Sequence, residues 1–161
     1  AIFFRMFHKN KVYLRGKIMI DRTNVQAFVF VKNPFKTLIL KRIPERSGYW
    51  QPVCGGVEHN EKPVEAVARE IFEETGIDNI KKIMDLNYTF TYRETKNGKL
   101  MDMRDICFAA EIASVQDIKL SDEHEYYKWC TYKEAKDTLK WEHNLVALEK
   151  LIEQISCSKS Q

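Results

Sequence analysis

Apolar and polar positions alternate along most of this chain, and one helical stretch interrupts the alternation near its middle. Residues 24–32 (NVQAFVFVK) are rich in Val and Phe and read as a strand. Asn33-Pro34 marks a turn. Lys36–Arg42 (KTLILKR) reads as a second strand, so the two predict a hairpin. Residues 43–49 form a polar loop, residues 50–53 are short and extended, and Val57-Glu58 reads as a further brief strand. Later, residues 81–94 carry Tyr88, Phe90 and Tyr92 at the strand period of two. Asn97-Gly98 then supplies a hairpin turn, because both residues tolerate positive φ, and residues 103–112 return as the partner strand. Residues 126–131 predict a last strand. Residues 132–139 and 142–155 predict helices, the second with Leu145, Leu148, Leu151, Ile152 and Ile155 on one face. Strands on both sides of one central helix, with helices at the end, imply an α/β protein whose mixed sheet lies between helices.

The central helical stretch is the most informative part. Gly55 and Gly56 follow a short apolar run. Adjacent glycines suit a backbone that turns sharply or passes close to another group. Pro63 fits the first turn of a helix and Gly76 fits its stop. Val64, Val67, Ala68, Ile71 and Thr75 follow the spacing of a core stripe. Glu70, Glu73 and Glu74 are related by three and four positions and fall on a neighbouring face. Their mutual repulsion costs a few tenths of a kcal/mol per pair. Arg69 points elsewhere on the helical wheel and does not fully relieve it. Clustered carboxylates of this kind commonly hold hard divalent cations such as Mg²⁺. A solvated acidic face is the alternative reading.

Composition narrows the choice of partners. The chain has 161 residues, 44% hydrophobic and 30% charged, which suits one globular domain with a sizeable core. Residues 21–156 are expected to form it. Residues 1–20 are expected to be an N-terminal extension, non-native in part, with the native start at Met6 or Met19. Residues 157–161 are expected to be a frayed tail. The net charge of +3 is too small to demand a nucleic acid or a membrane as partner. No apolar run is long enough to span a bilayer. Cys54, Cys107, Cys130 and Cys157 are scattered without a C-x-x-C pair, which argues against structural zinc. They read as reduced, mostly buried thiols of a cytoplasmic protein, Cys54 among them as a core residue. His124 and His143 read as structural histidines, and Trp50, Trp129 and Trp141 as core or rim.

Gly55, Glu61, Arg69, Glu70, Ile71, Glu73, Glu74, Gly76 and Ile77 together match G-x5-E-x7-R-E-U-x-E-E-x-G-U, where U is apolar. This is the Nudix box, and the segment resembles the Nudix hydrolase family (MutT-like) at every defined position. The segments SDEHEYYKW from Ser121 and LKWEHN from Leu139, with Trp50-Gln51-Pro52-Val53, look like the branch containing dihydroneopterin triphosphate pyrophosphatase, also described as a dATP pyrophosphohydrolase.

The resemblance implies an α/β/α sandwich with the box helix packed on a mixed sheet. It implies Mg²⁺ (or Mn²⁺) held by Glu70, Glu73, Glu74 and, from outside the box, Glu123. Glu70, Glu74, Glu123 and Arg69 form the expected catalytic set. Glu70 is the first choice for activating water and Glu123 the second, while Arg69 pairs with Glu61. Gly55 and Gly56 let the backbone approach substrate, and Arg42 is a candidate phosphate contact, since guanidinium pairs well with phosphate. The implied substrate is a small nucleotide. The implied reaction cleaves a (deoxy)nucleoside triphosphate or dihydroneopterin triphosphate to the monophosphate and pyrophosphate. Hydrolysis of diadenosine tetraphosphate, cleavage of ADP-ribose or a nucleotide sugar, and a catalytically silent regulator stay open as alternatives. Retention of every box carboxylate weighs against the last. The sequence is silent on the base or pterin recognised and on oligomeric state.

Overall fold

The computed structural model describes residues 19–160, so nearly all of the expected N-terminal extension and the last residue of the expected tail lie outside the described residues. The first strand, β1 (Arg22–Val31), is the axis of the sheet. Its C-terminal end pairs antiparallel with β2 (Lys36–Arg42), Phe30 opposite Thr37. Its N-terminal half pairs antiparallel with β4 (Val53–Gly56), Val25 opposite Gly55. On its other edge it runs parallel to β6 (Lys99–Glu111), from Arg22 opposite Met103 to Phe30 opposite Glu111. β5 (Lys82–Lys96) completes that side as the hairpin partner of β6. The short β3 (Trp50–Gln51) and the late β7 (His124–Cys130) both pair with β2. The result is a mixed seven-stranded sheet.

Both faces of β1 are covered, which explains its nearly unbroken apolar run. Val25, Ala27 and Val29 point to one face, where they pack with Ala66, Val67 and Ile71 of α1 (Pro63–Thr75). Phe28 and Phe30 point to the other. There they join Ala135 of α2 (Tyr132–Thr138) and Leu148, Leu151 and Ile155 of α3 (Glu142–Cys157). The chain is therefore an α/β/α sandwich with two apolar cores, as the sequence implies.

Local chemistry sets the ends of α1. Pro63 opens it, and the Glu65 carboxylate accepts from the Lys62 N–H at 2.8 Å. Gly76 closes it with φ of 75°, its N–H donating to the Phe72 carbonyl at 2.8 Å. Asn97 and Gly98 both have positive φ at the β5–β6 turn. Thr131 caps α2 by accepting from the Glu134 N–H.

Three local expectations need correction. No strand forms at Val57-Glu58; instead the strand ends at Gly56, and a single further bond follows it, the Val57 N–H donating to the Thr23 carbonyl at 2.9 Å. β7 begins at His124 rather than Tyr126, because a register shift at Lys41/Arg42 lets the pairing continue to Arg42 opposite His124. The buried face of α1 is also rotated. Val64 is 42% exposed and Ala68 is exposed, whereas Glu70 and Glu74 are only 9% and 4% exposed. The carboxylates do not lie beside the core stripe but form part of it. At the C-terminus, α3 runs to Cys157 and a 3₁₀ turn covers Ser158–Ser160.

Candidate active site

The acidic face of α1 closes one side of a cavity of about 700 Å³. Glu70, Glu73 and Glu74 line it, with Gly55 and Gly56 from β4, Arg42 from the end of β2, and Glu123 from the turn before β7. Of the residues expected to act in catalysis, metal binding or substrate binding, all but Arg69 line this cavity.

Arg69 stands behind the wall and clamps it. Its Nε and Nη2 donate to the two Glu61 carboxylate oxygens at 2.7 and 3.0 Å. Nη2 also donates to the Gly56 carbonyl at 2.8 Å, and Nη1 to Glu70 at 2.8 Å and Glu73 at 3.2 Å. Arg69 therefore does relieve the crowding of the helix carboxylates, contrary to the wheel-based expectation. The reason is reach: its long side chain turns back across its own helix face. The bond from Arg69 and the Glu58 N–H hold the Glu61 carboxyl down to about 2. Bonding to Glu61 in turn raises the Arg69 guanidinium above its ordinary value.

The glycines are needed for close approach. A Cβ on Gly55 would lie 1.9 Å from Cδ of Glu70. A Cβ on Gly56 would lie 2.5 Å from Nη2 of Arg22. The space left by the missing side chains is taken by a carboxylate and a guanidinium.

Burial dominates the electrostatics of α1. It raises Glu70, against the pull of the Arg69 hydrogen bond and charge. It raises Glu74 to about 9, helped by the charges of Glu70 and Glu123. Oε2 of Glu74 is buried without a hydrogen-bond partner. So is Nδ1 of His124, 3.7 Å away. Burial, with Arg42 and Arg46, pushes His124 down to about 4. His124, read from the sequence as a structural histidine, is buried, but its ring faces a box carboxylate and its Nδ1 is left unsatisfied. His143 keeps its structural role, stacked on Phe90 with ring centroids 4.0 Å apart and bonded to the Tyr88 hydroxyl.

Across the cavity, Glu123 pairs with Arg46 at 3.2 Å, and its carbonyl accepts from the Ile43 N–H at 3.0 Å. Arg42 donates to the Tyr49 hydroxyl at 2.8 Å and lies 5.2 Å from that ring. Cys54, expected in the core, lines the cavity instead and is half-buried.

Among the described residues, no three Asp, Glu, His or Cys side chains are already gathered into a metal cage. The donor set nevertheless fits a hard divalent ion. It consists of carboxylates, and one of them presents a buried oxygen with no partner. Of the other three, Glu70 and Glu73 are paired with Arg69 and Glu123 with Arg46.

Sequence reasoning missed Arg22, Asn24, Arg46, Tyr92, Lys96 and Asp105, all of which line the cavity. No local signal marks Asn24, which follows Arg22 and Thr23 at the polar start of β1.

Known proteins bear on this arrangement. The NUDIX domain profile matches residues 22–151. An octanoyltransferase of Myxococcus xanthus is 32% identical over 104 residues, covering 65% of this chain and 29% of that protein. The dihydroneopterin triphosphate diphosphatase of Haemophilus influenzae is 25% identical over 143 residues, covering 82% of this chain and 88% of the relative. The solved E. coli dihydroneopterin triphosphate pyrophosphohydrolase superposes with a TM-score of 0.72 at 21% identity, covering 84% of this chain and 99% of that one, and shares the fold. The chain spans about half or less of the length of the first curated relatives it matches. The profile match takes in both cores, the glycine loop, the acidic helix and Glu123, and on it the chain belongs to the NUDIX domain family.

Proposed function

We propose that this protein is a Mg²⁺- or Mn²⁺-dependent pyrophosphohydrolase of the cytoplasm. Its substrate is a (deoxy)nucleoside triphosphate or dihydroneopterin triphosphate, and its products are the monophosphate and pyrophosphate. The observation that carries this reading is the convergence of Glu70, Glu73, Glu74 and Glu123 on one cavity beside Arg42. The name of the Haemophilus relative supports the substrate class.

Glu70, Glu73, Glu74 and Glu123 are the residues that would hold the cation. Once bound, it would neutralise charge on the phosphate oxygens and lower the pKa of a water. The remaining work belongs to the chain. Arg42 orients a phosphate of the substrate through its guanidinium fork. Glu70 takes the proton of the attacking water. In the metal-free chain burial raises its pKa above that of a solvated carboxylate. Arg69 holds Glu70 in place from behind and keeps the glycine strand against the helix.

The test is a screen of triphosphates, dinucleotides and nucleotide sugars with Mg²⁺, followed by product analysis. Pyrophosphate and a monophosphate from a triphosphate are expected. Glu70→Gln is expected to lower kcat by about 10²–10⁴-fold with thermal unfolding unchanged. Near-normal kcat in that variant would falsify the role given to Glu70. Faster release of ATP and AMP from diadenosine tetraphosphate would replace the substrate assignment.

A further inference from the structure

Behind the cavity wall a chain of polar side chains crosses the apolar core. Asp105 of β6 is 1% exposed, yet its two carboxylate oxygens are both used. Oδ1 accepts from Asn24 Nδ2 at 2.9 Å, and Oδ2 accepts from Gln26 Nε2 at 2.7 Å. A carboxylate offers no proton, so each amide must turn its NH₂ toward it. Each amide oxygen then points away from Asp105. That of Gln26 accepts from Asn144 Nδ2 of α3 at 2.7 Å. That of Asn24 accepts from Arg22 Nε at 2.8 Å, at the cavity wall. The Asp105 carboxylate, with the Tyr92 hydroxyl 3.3 Å from the same Nδ2, thus holds the amide oxygen of Asn24 toward the arginine.

Arg22, like Arg42, differs from the two arginines that are tied to carboxylates around the site. Arg69 is shared among Glu61, Glu70 and Glu73, and Arg46 is paired with Glu123. Among the described residues, Arg22 forms no ion pair. Its Nε is anchored on a neutral amide oxygen, which leaves its terminal fork over Gly56 for another acceptor. Lys96 lines the same wall, and burial together with the charges of Arg22 and Arg46 pushes its pKa down against the opposing charges of Glu94 and Glu123. A group of cations that disfavour one another is a place where an anion is stabilising.

We propose that Arg22 is an anion-binding residue for the pyrophosphate moiety of the substrate, and that Asp105 is a positioning residue that fixes it through Asn24. The inference rests on the pyrophosphohydrolase reading for its ligand. An arginine fixed through Nε presents its two terminal nitrogens as a ready fork for phosphate oxygens and loses little further freedom on binding.

The experiment is calorimetric titration of pyrophosphate with Mg²⁺ into the full chain, with thermal melting and steady-state kinetics alongside. Arg22→Gln is expected to weaken pyrophosphate binding and raise KM by roughly ten- to hundred-fold, the loss of a charge-assisted contact. Its melting temperature is expected to stay near that of the parent, and the loss is expected to fall more on KM than on kcat. Asp105→Asn is expected to weaken binding in the same direction, because an amide there no longer forces the orientation of Asn24. The double variant should bind no more weakly than Arg22→Gln alone. Should Asp105→Asn fail to fold, Asn24→Ala removes the acceptor for Arg22 and leaves the Asp105–Gln26 bond. Parental pyrophosphate affinity in Arg22→Gln overturns the proposal, and multiplying effects in the double variant overturn the coupling. A parent that binds pyrophosphate through Arg22 but cleaves no triphosphate overturns the proposed function and leaves this inference standing.

Discussion

The carboxylate of Glu70 fills the volume that a side chain on Gly55 would need, since a Cβ there would come within 1.9 Å of its Cδ. The glycine strand and the acidic helix are thereby fitted to each other at one atom. Gly55→Ala must displace either the Glu70 side chain or strand β4. It is expected to destabilise the fold by about 1–3 kcal/mol, as overpacking does. It is also expected to lower kcat at least as far as Glu70→Gln, about 10²-fold or more. Urea unfolding and single-substrate kinetics on the same preparation measure both. An alanine variant with parental kcat would show that the Glu70 position is not used.

Arg69 spends its donors on three carboxylates and a carbonyl at once. A lysine carries the charge but lacks the planar fork. Arg69→Lys is expected to lose the paired bonds to Glu61 and leave the Gly56 carbonyl unpaired. A stability loss of about 1–3 kcal/mol is expected from the broken charged hydrogen bonds. Because Glu70 loses its hold from behind, kcat should fall while KM changes little. Equal losses in kcat and stability for Arg69→Lys and Arg69→Ala would confirm that geometry, not charge, is what the position supplies. Full retention of both by Arg69→Lys would refute it.

The same wheel that identified α1 misplaced its buried face, and this too is measurable. Ile71 is 0% exposed among the β1 side chains, while Phe72 is 57% exposed. Ile71→Ala is expected to cost about 2–5 kcal/mol. Phe72→Ala and Val64→Ala are expected to stay within about 0.5 kcal/mol of the parent. Denaturant midpoints rank the three directly, and a large loss at Val64 would return the helix to the orientation the hydrophobic spacing suggests.

Much of this arrangement was legible in the sequence because it is local. Pro63 and Gly76 bracket α1, Asn97-Gly98 turns the β5–β6 hairpin, and Leu148, Leu151 and Ile155 repeat at helical spacing. The stretch from Gly55 to Ile77 also supplies three carboxylates and two glycines that line one cavity, Glu70, Glu73, Glu74, Gly55 and Gly56. What was illegible depends on contacts between distant segments. Val64 looks like core until the sheet leaves it uncovered, and Glu70 and Glu74 look solvated until β4 closes over them. Asn24 and Asp105 are separated by 81 positions, and nothing local to either reveals that they meet. Arg69 was assigned a direction from its Cα position, which ignores how far a guanidinium reaches.

The buried facing pair of Glu74 and His124 sets the pH dependence of the metal-free protein. Their nearest oxygen and nitrogen are 3.7 Å apart, and neither has a hydrogen-bond partner. With Glu74 raised from 4.5 to about 9 and His124 lowered from 6.5 to about 4, both are neutral at pH 7. The folded state therefore holds a proton on Glu74 that the unfolded chain releases above 4.5. Stability linked to Glu74 is fully present below 4.5 and is lost as pH rises through about 9. His124 has the opposite sign: its contribution is present above 6.5 and lost as pH falls through about 4. The two slopes oppose each other between 4.5 and 6.5, which leaves a net fall from 6.5 to 9. Its steepness is limited to about 1.4 kcal/mol per pH unit for one proton. Urea unfolding in EDTA from pH 6 to pH 9 should show the decline, and Glu74→Gln, which has no proton to lose, should flatten it. Added Mg²⁺ should also flatten it, because a cation on the carboxylate replaces the proton and its charge offsets the burial of the ionised form. A parental profile that is level across this range in EDTA would mean that Glu74 is ionised in the folded, metal-free chain.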